Sequence, residues 1–172
     1  RFLAREHILL NSLTDLIKGA RTEEFPERIA DMLNKMKEIE KELAAVRSAQ
    51  ALSQAGDLGK SAQDVNGFTF IGSVMTDGVS GDDLRKIAID LRAQHANSVV
   101  ALVSSNEGKP VLVVAISDDA RAKGVKAGAL VKIGSTVLGG GGGGKDDFAQ
   151  GGGTNPEKSL GAIAAISQSL LG

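Results

Sequence analysis

The chain has 172 residues with 42% hydrophobic and 24% charged side chains, enough for one domain of ordinary size or a small domain with an appendage. Its 20 Lys and Arg balance 21 Asp and Glu, a net charge of −1, so a surface that is basic all over is excluded and any anion site must be local. The absence of Cys removes disulfides, thiol chemistry and Cys-ligated zinc, and two His, His7 and His95, are too few for a His-rich metal site.

No run approaches the roughly 18 apolar residues that span a bilayer, and Arg1-Phe2-Leu3-Ala4-Arg5-Glu6 carries no Met and no leader pattern. The start reads as the middle of a helix, as in a fragment of a longer protein. Residues 1–58 are expected to be helical. Leu3, Leu10, Leu13 and Ile17 share a stripe, with Leu9 and Leu16 beside it, and Gly19 offers a C-cap. Phe25-Pro26 marks a second start. From there Ile29, Met36 and Leu43 fall seven apart, and Met32, Ile39 and Val46 fall seven apart between them. This stripe predicts a helical hairpin folded on itself or an intermolecular coiled-coil seam; three heptads do not decide which. His7, among Leu and Ile, is expected between helices.

Residues 56–66, with Gly56, Asp57, Gly59, Ser61 and Asn66, read as a linker. Residues 59–172 then read as a globular α/β domain. Phe68–Met75 predicts a strand, Asp82–Ala96 a helix, and Ser98–Ser104 and Pro110–Ser117 two strands joined by the turn Asn106-Glu107-Gly108. Val125–Leu138 predicts a helix with Leu130, Val131, Val137 and Leu138 inward. A Gly-rich loop follows, then a helix from Pro156 to Leu171 with Thr154-Asn155-Pro156-Glu157 as its cap. This βαββα(loop)α order implies a small α/β sandwich with a partly antiparallel sheet.

The glycines are the most informative feature. Gly139 to Gly144 and Gly151 to Gly153 flank Lys145-Asp146-Asp147-Phe148-Ala149-Gln150. Glycines let backbone approach backbone or a phosphate, so the segment reads as a structural turn or as a place of close approach to nucleic acid. Gly139-x4-Gly144-Lys145 imitates a P-loop, but Asp146 stands where a Ser or Thr is needed and a helix precedes it, so nucleotide binding is not expected. Arg121, Lys123, Lys126, Lys132 and Lys145 form a basic run with no intervening acid, either a solvated face or a phosphate-binding face. Phe148 is an anchor for the loop or, with Trp and Tyr absent, a stacking aromatic. His95 is expected to pack at its helix end. Asp82-Asp83 and Asp118-Asp119 suit helix starts, whereas Asp146-Asp147 has no evident role.

The stretch Val137-Leu138, Gly139 to Gly144, Lys145-Asp146-Asp147-Phe148-Ala149-Gln150 and Gly151-Gly152-Gly153 resembles the C-terminal signature of alanyl-tRNA synthetases. Phe25-Pro26-Glu27-Arg28-Ile29 to Leu43 is similar to the helix that precedes it in that family. The resemblance extends over essentially the whole chain and implies a helical segment followed by a DHHA1-type domain, a type shared with phosphoesterases. It implies binding of alanine tRNA at the elbow, coupling of aminoacylation with editing, contact with other domains of the same enzyme, dimerisation through the helices, and a cytoplasmic setting without a membrane. The matched residues are Gly139 to Gly144, Ala149 and Gly151 to Gly153, and Lys145 fits as the basic residue after the glycines. The family's ATP-binding elements and zinc-binding His/Cys set are absent here, as is the Asp-His-His motif of the phosphoesterases. The segment by itself is therefore expected to hold no cofactor and to be non-catalytic, with ATP, Mg and Zn confined to other domains. An accessory domain of a phosphoesterase and a purely structural dimerisation module are the competing readings.

Overall fold

The computed structural model describes residues 2–17 and 21–172; the expected C-cap at Gly19 lies outside them. The chain divides into two compact units, 1–45 and 46–172. The division falls inside a helix, ahead of the 58/59 boundary drawn from composition.

In the first unit, α1 (Phe2–Leu16) is followed by a 3-10 turn at Thr22–Glu24 and the beginning of α2 (Phe25–Leu58). Pro26 sits in the first turn of α2, where its missing N–H costs nothing. The apolar stripes of both helices stay open in the single chain: Met32 is 61%, Met36 57% and Ile39 55% exposed. Leu13 and Leu16 of α1 line one shallow apolar groove with Ile29, Met32 and Met36 of α2. The two helices thus meet at this groove in one chain without burying the stripe. His7 is exposed on α1 rather than held between helices.

The second unit is built on a six-stranded sheet in the order β1-β2-β3-β4-β6-β5. The residues read as a linker are structured. The α2 helix continues through Gly56 to Leu58, a 3-10 turn covers Gly59–Ser61, and β1 (Gln63–Val65) pairs antiparallel with β2 (Phe68–Val74). Asn66 and Gly67 join them with φ of 54° and 83°, a two-residue turn that suits the right-handed strand twist. The α3 helix (Gly81–Gln94) carries the chain to β3 (Ser98–Asn106), which lies parallel to β2, as a crossover must. Ser80 is its N-cap, accepting from Asp83 N at 3.1 Å, with Asp82 and Asp83 in the first turn. A second two-residue turn, Glu107-Gly108, leads to antiparallel β4 (Lys109–Ile116).

The short α4 (Asp118–Ala122) and α5 (Ala127–Val137) follow. The segment expected as a Gly-rich loop is instead a pair of strands, β5 (Gly142–Gly144) and β6 (Phe148–Gly152), and β6 pairs with β4. The α6 helix (Ser159–Ser169) closes the chain behind a 3-10 turn at Pro156–Lys158. The cap expected from Thr154 and Asn155 does not form through side chains; instead both backbone N–H groups donate to Leu138 O at 2.9 Å. Strand alternation splits the core in two. On one face Val99, Ala101, Val103, Leu112, Val114 and Ile116 pack under α5 and α6. On the other, Val100, Leu102, Val113 and Ala115 pack under α3 and the end of α2, where Ala51 is fully buried.

Candidate nucleic-acid interface

At most of the glycines in and around the paired strands only glycine fits the spacing. A Cβ on Gly144 would lie 2.6 Å from Ala149 Cα, and one on Gly152 would lie 2.8 Å from Pro110 O. At Gly140 and Gly142 it would collide with the backbone of Gly152 and Gly151, at Gly151 with Ser135 Oγ, and at Gly153 with Leu138 O. Gly139 holds φ of 79°, the left-handed conformation that ends α5. The motif is therefore a structural element first: two strands drawn tight against α5.

The hairpin's tip holds Lys145. Ala127 N donates to Asp146 O at 3.0 Å, so the first turn of α5 is tied to that tip, with Gly128 facing the Gly144 and Lys145 carbonyls. The side chains of Lys126 and Lys145 are exposed, and Lys126 is the N-cap residue of α5 without using its side chain there. The other three cations of the run are spread out. Arg121 pairs with Asp118, and that hydrogen bond, with the nearby Asp118, Asp147 and Asp146 charges, holds its guanidinium above the ordinary arginine range. Lys123 sits 5.5 Å from the centre of the Phe68 ring. Lys132 is exposed on α5. The stretch without acids in sequence is thus interleaved with acids in space.

Phe148 is half-buried and packs against the α3 side of the core, while the Arg85 guanidinium lies 4.9 Å from its ring centre. Arg92 donates to Asp147 O at 3.2 Å and faces the Asp147 carboxylate at 3.8 Å, which gives Asp147 a role in fastening the hairpin to α3. Arg85 and Arg92 escaped the sequence reading. Their spacing of seven puts them on one flank of α3, but nothing in sequence says that this flank meets Phe148. His95 follows α3 as its C-cap residue, half-buried, with its ring near Gly59. Among the described residues no three His, Cys, Asp or Glu cluster as metal ligands, and no helix is long and apolar enough to cross a membrane.

The DHHA1 domain family matches residues 67–171. Over 97% of its length the chain is 44% identical to the alanine–tRNA ligase of Streptomyces avermitilis, of which it covers 19%. It is 46% identical over 96% of its length to the corresponding ligase of Acidothermus cellulolyticus, again covering 19% of that protein. The crystal structure of the C-Ala domain from Aquifex aeolicus alanyl-tRNA synthetase is similar with a TM-score of 0.61 at 33% identity, over 64% of this chain and 98% of that domain. RecJ from Thermus thermophilus in complex with Mn2+ shares the fold, with a TM-score of 0.53 at 16% identity over 73% of this chain and 17% of RecJ. The chain thus spans about a fifth of the curated ligases it matches. With a family match over most of its length and a ligase domain that it covers almost end to end, the chain belongs to the DHHA1 domain family, as a C-terminal domain of the alanyl-tRNA synthetase type.

Proposed function

We propose that this chain is the tRNA-binding module of an alanine–tRNA ligase, working in the cytoplasm beside the other domains of that enzyme. The observation that carries the reading is the tie between Ala127 N and Asp146 O, which fastens the start of α5, with exposed Lys126 at its N-cap, to the hairpin tip that carries exposed Lys145. Similarity to alanine–tRNA ligases supplies the partner. Two such cations suit the closely spaced phosphates of a folded RNA, and they position it without reading its sequence. The tRNA elbow, a shape shared among tRNAs, is the target that fits such contacts, and holding it lets one bound tRNA serve both charging and editing.

The test is Lys126→Glu with Lys145→Glu. Glu is tolerated at the start of α5, where the helix dipole favours it, so the fold survives. Binding should weaken for alanine tRNA and unrelated tRNAs alike, and the log–log salt slope should fall by about 2, one for each lost phosphate contact. In the intact ligase the tRNA KM should rise more than kcat falls. Unaltered affinity and slope would remove this corner as the site.

A specific observation also favours self-association: the stripe Ile29, Met32, Met36, Ile39, Leu43 and Val46 is between 43% and 62% exposed in the single chain. Apolar stripes at heptad spacing on that scale suit a second copy of the same helix.

A further inference from the structure

Glycine at positions 141 and 143 is not explained by the fold. Around them Gly140, Gly142, Gly144 and Gly151 to Gly153 have no room for a Cβ. A Cβ on Gly141 or Gly143 would meet nothing within 4 Å, and neither residue has a positive φ. Any side chain fits there, and most would favour the strand more than glycine does.

The open side of these two residues has a definite place. Gly143 lies opposite Gln150 in the β5–β6 pairing, and Gly141 accepts from Gly152 N two residues along. Ala149 is buried among the residues under α5, and a Cβ on Gly151 would meet Ser135 and Val131 of that helix. Alternation therefore turns Phe148, Gln150 and Gly143 to the other face, the face that carries α3. There α3 lies over β3 and β4, and β5 is the last strand of the sheet. The result is a shelf. Its wall is the flank of α3, with Arg85 over Phe148 and Gly81 beside Gln150. Its floor is the exposed Gln150 amide and the bare backbone of Gly143 and Gly141.

We infer that this shelf, formed by Arg85, Phe148, Gln150, Gly141 and Gly143, receives an unstacked segment of the tRNA, its sugar–phosphate chain crossing the two glycines and a base lying on the Arg85 guanidinium. The inference rests on the tRNA-binding reading and names the contact surface, on the opposite face of the sheet from α5 and α6. Three features select RNA over a peptide. No carboxylate pairs with Arg85 among the described residues, which leaves its donors free for phosphate or base edges. A guanidinium already resting on an aromatic ring offers a flat, weakly hydrated plane on which a base stacks. The aromatic ring on the shelf, Phe148, is capped by the Arg85 guanidinium rather than bare to an apolar side chain.

The experiment compares the wild type, Gly141→Ala with Gly143→Ala, Arg85→Lys and Gly142→Ala by fluorescence-anisotropy titration with an alanine tRNA transcript, alongside melting temperature and mass in sedimentation. The Gly141/Gly143 pair should melt at or slightly above the wild-type temperature yet bind tRNA on the order of tenfold more weakly, because two methyl groups stand where the RNA backbone passes. Arg85→Lys keeps the charge and loses the plane, and should bind severalfold more weakly with unchanged melting. Gly142→Ala, whose Cβ has no room, should melt lower and so shows that the assay detects a structural glycine. Wild-type affinity in both the Gly141/Gly143 and the Arg85 variants would overturn the inference while leaving the tRNA-binding reading intact. A wild type that does not bind tRNA would overturn both. Unchanged tRNA affinity with a changed sedimentation mass would assign the shelf to a protein contact and equally overturn it.

Discussion

At Asp119 a single exposed carboxylate joins two segments. Ser117 Oγ donates to one of its oxygens, and Asn97 N donates to the other at 2.9 Å. Ser117 Oγ in turn accepts from Ser98 N at 2.9 Å, so the start of β3 is fastened to the start of α4. The Ser117 hydrogen bond, then the Asn97 bond, hold the Asp119 carboxyl below the usual carboxylate range. A carboxyl acidified by folding contributes stability above its unfolded pKa and loses it as pH falls through the folded one. Asp119→Asn should therefore melt below the wild type at pH 7, by a modest margin for so exposed a group. The gap should begin to close as pH drops below about 4, where the unfolded carboxyl takes up a proton, and vanish once the folded carboxyl is neutral too. A gap that stays constant from pH 7 to pH 3 would show that charge has no part in it. At the same scale, the composition of the proposed interface was legible and its geometry was not. Lys126 and Lys145 stood out in the basic run, and Gly139 to Gly153 in the signature. Arg85 lies 63 residues from Phe148 and is placed against it only by the packing of α3 on the sheet.

The α2 helix carries the least satisfied surface among the elements. Its heptad stripe was readable because 3.5-residue periodicity needs only local sequence. What covers it was not readable, since burial is decided by partners that sequence does not list. Met36, 57% exposed in the single chain, tests this. Without a partner, Met36→Lys is a surface change and should alter stability by no more than about 0.5 kcal/mol. In a paired seam the ammonium is stripped of water, a cost of roughly 2–4 kcal/mol per site. Sedimentation should show the wild type above its chain mass of 17.7 kDa and Met36→Lys at that mass. A wild type that sediments as a single chain at tens of micromolar would remove the seam. The missed elements have equally physical explanations. The Asn66-Gly67 turn is a strong hairpin signal, but Asp57 and Gly59 nearby gave the segment the composition of a linker. The β5 and β6 strands have no alternating side chains to announce them, because their partners leave no room for any.

At the scale of the whole molecule, the buried core and the open heptad stripe belong to different stretches of chain. Both hydrophobic clusters are drawn from residues between Ala51 and Leu170, whereas Phe25 is the one buried large hydrophobic among the described residues of 1–45. The charges divide in the same way. Residues 1–45 hold 8 Lys and Arg against 9 Asp and Glu, which leaves 12 against 12 for residues 46–172. A neutral globular unit gains no long-range attraction for RNA, so the proposed tRNA binding rests on short-range contacts at Lys126, Lys145 and the Arg85 shelf. Removing residues 1–45 should leave a protein that melts within about 3 °C of the full chain, since almost none of the buried apolar area goes with them. It should bind alanine tRNA within about threefold of the full chain, because every cation assigned to the interface remains. It should also sediment as a single chain, having lost five of the six stripe residues, Ile29 to Leu43. A fall in melting temperature of ten degrees or more would mean that the helical segment supports the α/β unit. A tenfold loss of affinity with normal melting would move the tRNA contacts onto the helical arm.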